Sequence, residues 1–479
     1  MRFPLHLSAA ILASVLPVLP GTAVAQDGDD LAKINRFEGG RIDVTLDAAS
    51  LPLLGPGAGG LQASAAPVYP GPGRHLQNPA LLGLATRPLL ALDFGPRIDL
   101  DLGARFDLDG EVAEATADAL DGHLAPDADW RAGDPAATLG HPGGPSGLAL
   151  ILPAGSVTLG LSLDEPVLLD LGMFATGMQT WADIEKEVGD EVETVHLRAD
   201  MDLSSQIGLR CQRYSLAAGR AVRPGLWAGL GLDLLRAQAR VSTLLDVEGV
   251  MATGGREFHF DDPGDSWENS LDQRLDGRYA GGAWALRLGA GWRPGARWAL
   301  GLSLALSQPL ELAGDAALSL RRLAAWDGEE GGIDPSALSL SRPTETAVVE
   351  SPVDDVLRLE LPHSLGLGAA AMLGPLTATL DYQAYWGNFS VGYLDARCEL
   401  NPRHLLALGL CTPWATLSAG ALLCEPRTLV DGDWNDAGLV PLPRFSLGGG
   451  ARVTERLRLD AMLEAAPLPA LRLSTVILF

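Results

Sequence analysis

The chain ends Ala470-Leu471-Arg472-Leu473-Ser474-Thr475-Val476-Ile477-Leu478-Phe479, and this stretch decides the fold. In an extended strand successive side chains point to opposite faces. Leu471, Leu473, Thr475, Ile477 and Phe479 therefore share one face, and Arg472, Ser474, Val476 and Leu478 share the other. A mostly apolar strand face at a free chain end is an aggregation hazard in water. It is sensible if the strand closes a barrel whose outer face meets lipid.

The opposite end carries a matching signal. Met1-Arg2 is positively charged, an apolar stretch runs from about Leu7 to Leu19, and Ala23-Val24-Ala25 is a small-residue cleavage site before Gln26. This pattern reads as a secretory signal peptide over residues 1–25. No Cys follows the cleavage site, which argues against a lipid anchor. No later stretch offers the roughly 20 consecutive apolar residues of a membrane helix. The remaining choices are a secreted soluble protein or a β-barrel.

Composition narrows the function classes. The formal net charge is −25, which argues against a nucleic-acid partner. The 57 Gly, 33 Pro and pervasive alternation speak against a helical organisation. Four cysteines, Cys211, Cys398, Cys411 and Cys424, allow three pairings. They suit either a disulfide between neighbouring strands or loops, or unpaired small apolar side chains. Their spacing is no metal motif, and no cofactor or metal is expected.

Working back from the C-terminus, the alternation recurs. Phe445, Leu447, Gly449, Ala451 and Val453 precede a turn and then Leu457, Leu459 and Ala461. Leu300, Leu302, Leu304 and Leu306 alternate with small residues; Leu226, Leu230, Leu232 and Leu234 lie opposite Trp227, Gly229, Gly231 and Asp233. Leu148, Leu150 and Leu152 turn at Pro153-Ala154-Gly155 into Val157, Leu159, Leu161 and Leu163. Ile98 to Asp109 reads as one strand with four aspartates and Arg105 facing a polar lumen.

Tight turns (153–156, 293–297, 454–456) alternate with long polar stretches (110–145, 176–198, 243–282, 320–356) read as loops. That is the outer-membrane barrel layout. Residues 87–479 are expected to form an all-β, antiparallel transmembrane barrel of about 14 strands. Trp292, Trp298, Trp386, Tyr382 and Tyr385 are placed for an aromatic girdle. The preceding residues 26–86 are rich in Gly, Pro and Ala and are expected to form an irregular N-terminal plug, tolerated where protein or water surrounds it.

Just before the first barrel strand stands Leu76-Gln77-Asn78-Pro79-Ala80-Leu81-Leu82-Gly83. The Asn78-Pro79-Ala80 motif in this place resembles the plug of FadL-type outer-membrane transporters of long-chain fatty acids and aromatic hydrocarbons. Pro145 to Leu161, Tyr279 to Leu318 and Leu361-Pro362-His363-Ser364-Leu365-Gly366 resemble further hairpins and strands of that family. The chain departs from it in a Pro-rich plug, a Pro-rich Ala465-Ala466-Pro467-Leu468-Pro469 and strongly acidic loops.

The resemblance implies uptake of a hydrophobic small molecule, captured among the loops, passed into an apolar lumen and released when the plug rearranges. Asn78, Pro79 and Ala80 are then the plug motif, and Leu471, Leu473, Ile477 and Phe479 the barrel-closing strand. The implied partners are outer-membrane lipid and the barrel assembly machinery, and the expected state is a monomer in the bacterial outer membrane. The alternative is a non-transport barrel with a structural or assembly role, including those of conjugation operons. No catalytic residue is expected: His363-Ser364 and His404 form no triad. Asp261-Asp262-Pro263-Gly264-Asp265 could attract calcium, but reads better as a solvated acidic loop.

Overall fold

Leu alternating with Gly, Ser and Ala gives each strand one face that water does not welcome. In the computed structural model these strands curl into a closed wall. The structure describes residues 33–50, 66, 74–101, 107–120, 124–141, 143–188, 191–260, 271–323, 326–327, 332–333, 344–393, 396–430, 433–436, 438–466 and 470–479. The 1–25 stretch read as a signal peptide and the acidic Asp261–Asp265 segment lie outside them, as does the side chain of Cys398.

Two strands come first, β1 (Lys33–Glu38) and β2 (Arg41–Ser50). The barrel wall starts at β3 (Leu89–Gly95), prolonged by β4 (Ile98–Asp101). A helix α1 (Leu108–Leu120) and β5 (Leu124–Arg131) precede β6 (Asp134–His141), which runs on as β7 (Gly144–Ala154). Then follow the long strands β8 (Val157–Val188), β9 (Glu191–Arg223) and β10 (Leu226–Thr253). β11 (Arg256–Phe260) and β12 (Gln273–Trp292) share one wall position, and β13 (Trp298–Ser307) and β14 (Leu310–Leu323) the next. β15 (Trp326–Asp327) pairs only with β16 (Gly332–Ile333). β17 (Thr344–Glu360) with β18 (His363–Leu373), and β19 (Leu376–Trp386) with β20 (Phe389–Tyr393), fill two more positions. β21 (Ala396–Cys411), β22 (Ala415–Val430), β23 (Asp433–Asp436) in line with β24 (Val440–Arg452), β25 (Leu457–Ala466) and β26 (Ala470–Leu478) complete the circuit.

β26 pairs antiparallel with β3, from Leu473 opposite Phe94 to Leu478 opposite Leu89. The wall is thus closed, with 14 antiparallel strand positions. The terminal stretch closes the barrel as its alternation predicts: Leu473 and Phe479 are exposed on the outside, while Val476 is buried. The Phe479 amide donates to the Pro88 carbonyl at 3.1 Å, so pairing persists to the last residue.

The outer face is a belt of leucines. Leu230, Leu232 and Leu234 are 51%, 51% and 58% exposed while the intervening Asp233 is 2% exposed, facing in. From Leu226 to Arg236, the first charge on that outer row, is ten residues. At about 3.3 Å per residue and a tilt of roughly 40° this spans about 25 Å, the height of a barrel's apolar band. Trp292 and Trp298 stand exposed at a tight-turn end, as the girdle reading expects. Trp386 and Tyr382 are exposed nearer the other end, but Tyr385 packs against the inner apolar cluster.

Several expectations need correction. The stretches read as long polar loops at 176–198 and 243–282 are largely ladder: β8, β9, β10 and β12 continue pairing far above the leucine belt. Outside the lipid a strand's outer face turns polar, so alternation fades while hydrogen bonding continues. The expected single strand 98–109 stops at Asp101; α1 begins at Leu108, and Asp99 and Asp101 are exposed rather than lumenal. Residues 33–50 of the segment read as irregular form β1 and β2. Of the two readings left open for the cysteines, Cys211, Cys411 and Cys424 take the second: they are buried thiols not joined by a disulfide.

β2 has an unusual place. β7 and β8 pair from Ala154–Val157 up to Gly147–Asp164 and then part. Pro166, which lacks an N–H, sits in the register break between Asp164 and Val167. Above the break β2 is inserted, parallel to β6 (Arg41–Asp134 to Asp47–Gly140) and antiparallel to β8 (Arg41–Thr176 to Ser50–Leu168). β1 continues the wedge between β5 and β8. Ile42 and Val44 of β2 face inward onto Met173 and Ala175, and Arg41 and Asp43 pair on the outside at 2.8 Å.

Candidate functional site: the lumen and its base

Inward positions sort into layers. At the base, near the tight turns, a 3-10 helix Pro79–Leu84 lies against the inner wall with Pro79, Ala80, Leu81 and Leu82 buried. Asn78 is its N-cap: its Oδ1 accepts from the Ala80 amide at 3.0 Å, supplying a partner that the helix start otherwise lacks. Its Nδ2 donates to the Ala290 carbonyl of β12 at 3.2 Å. Pro79 sits at the first helical position, where its fixed φ fits and its missing N–H costs nothing.

The wall makes room for this turn with glycines. Gly219 of β9, Gly229 of β10 and Gly289 of β12 face inward on adjacent strands beneath Pro79 and Ala80. A Cβ at Gly219 or Gly229 would stand 2.5 Å from the Pro79 carbonyl oxygen, and one at Gly289 would collide with Asn78 Oδ1. On β8, a Cβ at Gly160 would meet Leu82 at 2.9 Å and His75 at 3.1 Å. Only side-chain-free wall lets the Asn78-Pro79-Ala80 backbone come this close.

Next lies a charged layer. The Arg287 guanidinium is 3% exposed and donates to Asp233 Oδ1 at 2.6 Å, to Ser215 Oγ and, at 2.6 Å, to the backbone carbonyl of His75. Arg213 donates to Asp164 at 2.8 Å. Across the seam Arg444 pairs with Glu464 at 2.8 Å, and Ser474 donates to Asp93. Buried charges persist when paired and hydrogen-bonded. The His75 ring, 1% exposed, has neither nitrogen hydrogen-bonded. Burial, aided by nearby Arg287, pushes its pKa down to about 3, so the ring is neutral at neutral pH.

Above the charges the inner face turns apolar. Val167 of β8, Leu209 of β9, Leu235 of β10, Leu312 of β14, Leu405 of β21 and Leu422 of β22 belong to one buried cluster spread along the wall. A second cluster, with Ile34, Phe37 and Ile42 from β1 and β2, lies higher still.

The structure brings Asn78, Pro79 and Ala80 together with His75 of the preceding turn and with wall residues that the sequence reading did not assign to the site: Gly219, Gly229, Gly289, Arg287 and Asp233. The wall residues' signal is present in the sequence, as three glycines and two charges at inward positions of alternating strands. Leu471, Leu473, Ile477 and Phe479 are remote from this site, on the closing strand. His363 Nδ1 accepts from the Ser307 amide at 3.1 Å, and His404 contacts the Tyr382 hydroxyl at 2.9 Å. These two histidines hold wall and surface contacts instead of facing a nucleophile.

No family model matches the chain, and no curated protein matches it. Among solved structures the chain is similar to a Pseudomonas aeruginosa FadL homologue at 14% identity, covering 89% of this chain and 98% of that one, with a TM-score of 0.48. The CymD monoaromatic hydrocarbon channel is similar at 13% identity, over 89% of this chain and 97% of its own, with a TM-score of 0.41. The Pseudomonas putida toluene transporter TodX is similar at 12% identity, over 90% and 97%, with a TM-score of 0.41. It is the closure of its own wall and the leucine belt around it that make this chain an outer-membrane β-barrel.

Proposed function

We propose that the protein takes up hydrophobic small molecules, such as long-chain fatty acids, through a plugged lumen. The observation that carries this reading is the buried apolar layer standing above a charged layer and a docked turn. A water-filled pore has no such layer; it lines itself with polar groups. Transfer of an acyl chain from water to apolar surroundings is favourable by about 0.8 kcal/mol per CH2, enough for capture without covalent chemistry.

On this reading residues 1–25 direct export, and of residues 26–86 the stretch 74–86 acts as the plug, tethered by β1 and β2, which are paired into the outer rim of the wall. Asn78, Pro79 and Ala80 latch the plug's lower end to the glycine floor. Passage requires that latch to loosen, because the turn and the charged layer lie between the apolar layer and the periplasmic end. The closing strand with Phe479 addresses the chain to the barrel assembly machinery, and the barrel works as a monomer in outer-membrane lipid.

The test is uptake of labelled oleate and of toluene by cells lacking their own transporter. Wild-type protein should restore uptake of at least one. Leu312→Asp, which puts a charge in the apolar layer, should lower it while heat-modifiable gel mobility shows a folded barrel. Wild-type cells that take up neither compound would favour a structural or assembly role and sink the transport reading.

A further inference from the structure

The outer surface carries a feature that hydrophobic uptake does not use. Directly above the leucine belt, on adjacent strands β9, β10 and β12, five arginines point outward: Arg210, Arg236, Arg240, Arg274 and Arg278, all exposed. Their inward neighbours Leu209, Ala237, Ala239, Val241 and Tyr279 are buried, which fixes the outward direction. The chain as a whole carries −25.

The patch is under-neutralised. Arg210 pairs with Glu165. Asp276, also on this face, accepts from Ser242 at 2.9 Å. Asp315 of β14 lies in register with Arg278, yet among the described residues no ion pair is made by Arg236, Arg240, Arg274 or Arg278. Arg240 stands directly opposite Arg278 across the β10–β12 ladder. Like charges facing each other at about 5 Å destabilise a strand pair. Elsewhere along the belt top, Arg403 has its own carboxylate, Glu425 at 2.7 Å.

Height selects the occupant. Arg236 follows Leu234 on the same outer row, so the patch begins where the apolar band stops. The side of the long hairpins is the extracellular one. Anionic headgroups of the outer leaflet lie at this level, and guanidinium forks match phosphate oxygens. We propose that Arg236, Arg240 and Arg278, flanked by Arg210 and Arg274, form a docking site for the phosphates of an outer-leaflet glycolipid, whose acyl chains lie along the leucines of β9, β10 and β12.

The experiment uses full-length protein in mild detergent and diphosphorylated lipid A as the probe, with occupancy read by native mass spectrometry. Each basic residue near an anionic surface contributes about fivefold in binding, so R236Q/R240Q/R278Q should lower lipid A affinity by about a hundredfold. Dephosphorylated lipid A should bind the wild type as weakly as lipid A binds this variant, and R403Q should bind like the wild type. Inorganic phosphate should displace the lipid no better than sodium chloride at the same ionic strength. Equal binding by wild type and triple variant, equal binding of the dephosphorylated lipid, or displacement by phosphate well beyond that matched salt control would each overturn the proposal. Heat-modifiable mobility checks that the variants are folded. Should the triple variant not fold, a salt series on the wild type decides: occupancy must fall as ionic strength rises, and a flat series overturns it.

Discussion

Replacing Asn78 by Ala removes one contact that shapes the 78–84 turn and one that ties the turn to the wall. The Oδ1 acceptor of the Ala80 amide is lost, and so is the Nδ2 donor to the Ala290 carbonyl. Each neutral hydrogen bond contributes about 1 kcal/mol net, and a buried amide left without a partner costs about 1–3 kcal/mol more. The turn should therefore be destabilised on its glycine floor by about 2–4 kcal/mol, a roughly 30- to 1000-fold shift from docked to undocked. The closed wall does not depend on these contacts, so heat-modifiable mobility should be preserved. Single-channel conductance in planar bilayers reads the shift directly, as more frequent openings than in the wild type. Asn78→Asp separates the two halves of the contact. Its carboxylate still caps the Ala80 amide but has no donor for Ala290, so it should fall between wild type and Asn78→Ala. Unchanged conductance in Asn78→Ala, together with unchanged protease resistance of residues 74–84, would refute the latch.

Gly229→Ala attacks the same latch from the wall: the new Cβ would overlap backbone that has no flexible end to yield, and overpacking of this kind costs about 1–3 kcal/mol. It should raise conductance as Asn78→Ala does, while Gly295→Ala, with open space around its Cβ, should not. Plug docking should also depend on pH. His75, held down to about 3 when docked, returns to an ordinary value near 6.5 when exposed. The undocked form therefore binds more protons between those values; docking is fully stable above about 6.5 and weakens as pH falls towards 3. Openings should increase over that window in wild type and not in His75→Leu; an identical pH profile in both would dismiss the imidazole. Arg287→Met strands Asp233 in a buried site and should lower stability by about 3–5 kcal/mol, seen as a lower temperature of heat modification. Arg287→Met/Asp233→Leu should recover much of that loss, and no recovery would argue against a paired buried charge.

The barrel was legible because lipid imposes a pattern that a local reading detects. The Leu226–Leu234 row, the Trp292–Trp298 turn and the Leu471–Phe479 closure all follow from one apolar face per strand. Above the lipid that constraint ends. Asp246 and Glu248 on β10, within the stretch read as loop, continue the ladder to β9 with polar outer side chains, and the backbone pairing is unbroken. β2 escaped notice for a different reason. Arg41-Ile42-Asp43-Val44-Thr45-Leu46-Asp47 alternates cleanly, but it is a single strand in a Gly- and Pro-rich region, and its partners lie about a hundred residues on. Asn78-Pro79-Ala80 was legible as a turn; its floor was not, because Gly219, Gly229 and Gly289 converge only when three strands are in register.

The wedge of β1 and β2 has a consequence for how the molecule is made. Ile34 pairs with Ala182 and Arg41 with Asp134, so the first strand residues to be exported cannot find their wall partners until some 150 later residues have arrived. β8 must by then have parted from β7 at Pro166, or there is no slot for β2 to enter. Closing so long a loop is entropically expensive and slow. The lower wall can zip up hairpin by hairpin, strand beside its sequence neighbour; the outer rim cannot. Completion of the rim at this slot thus waits on an N-terminal strand held unpaired until β8, the third wall position, has been delivered.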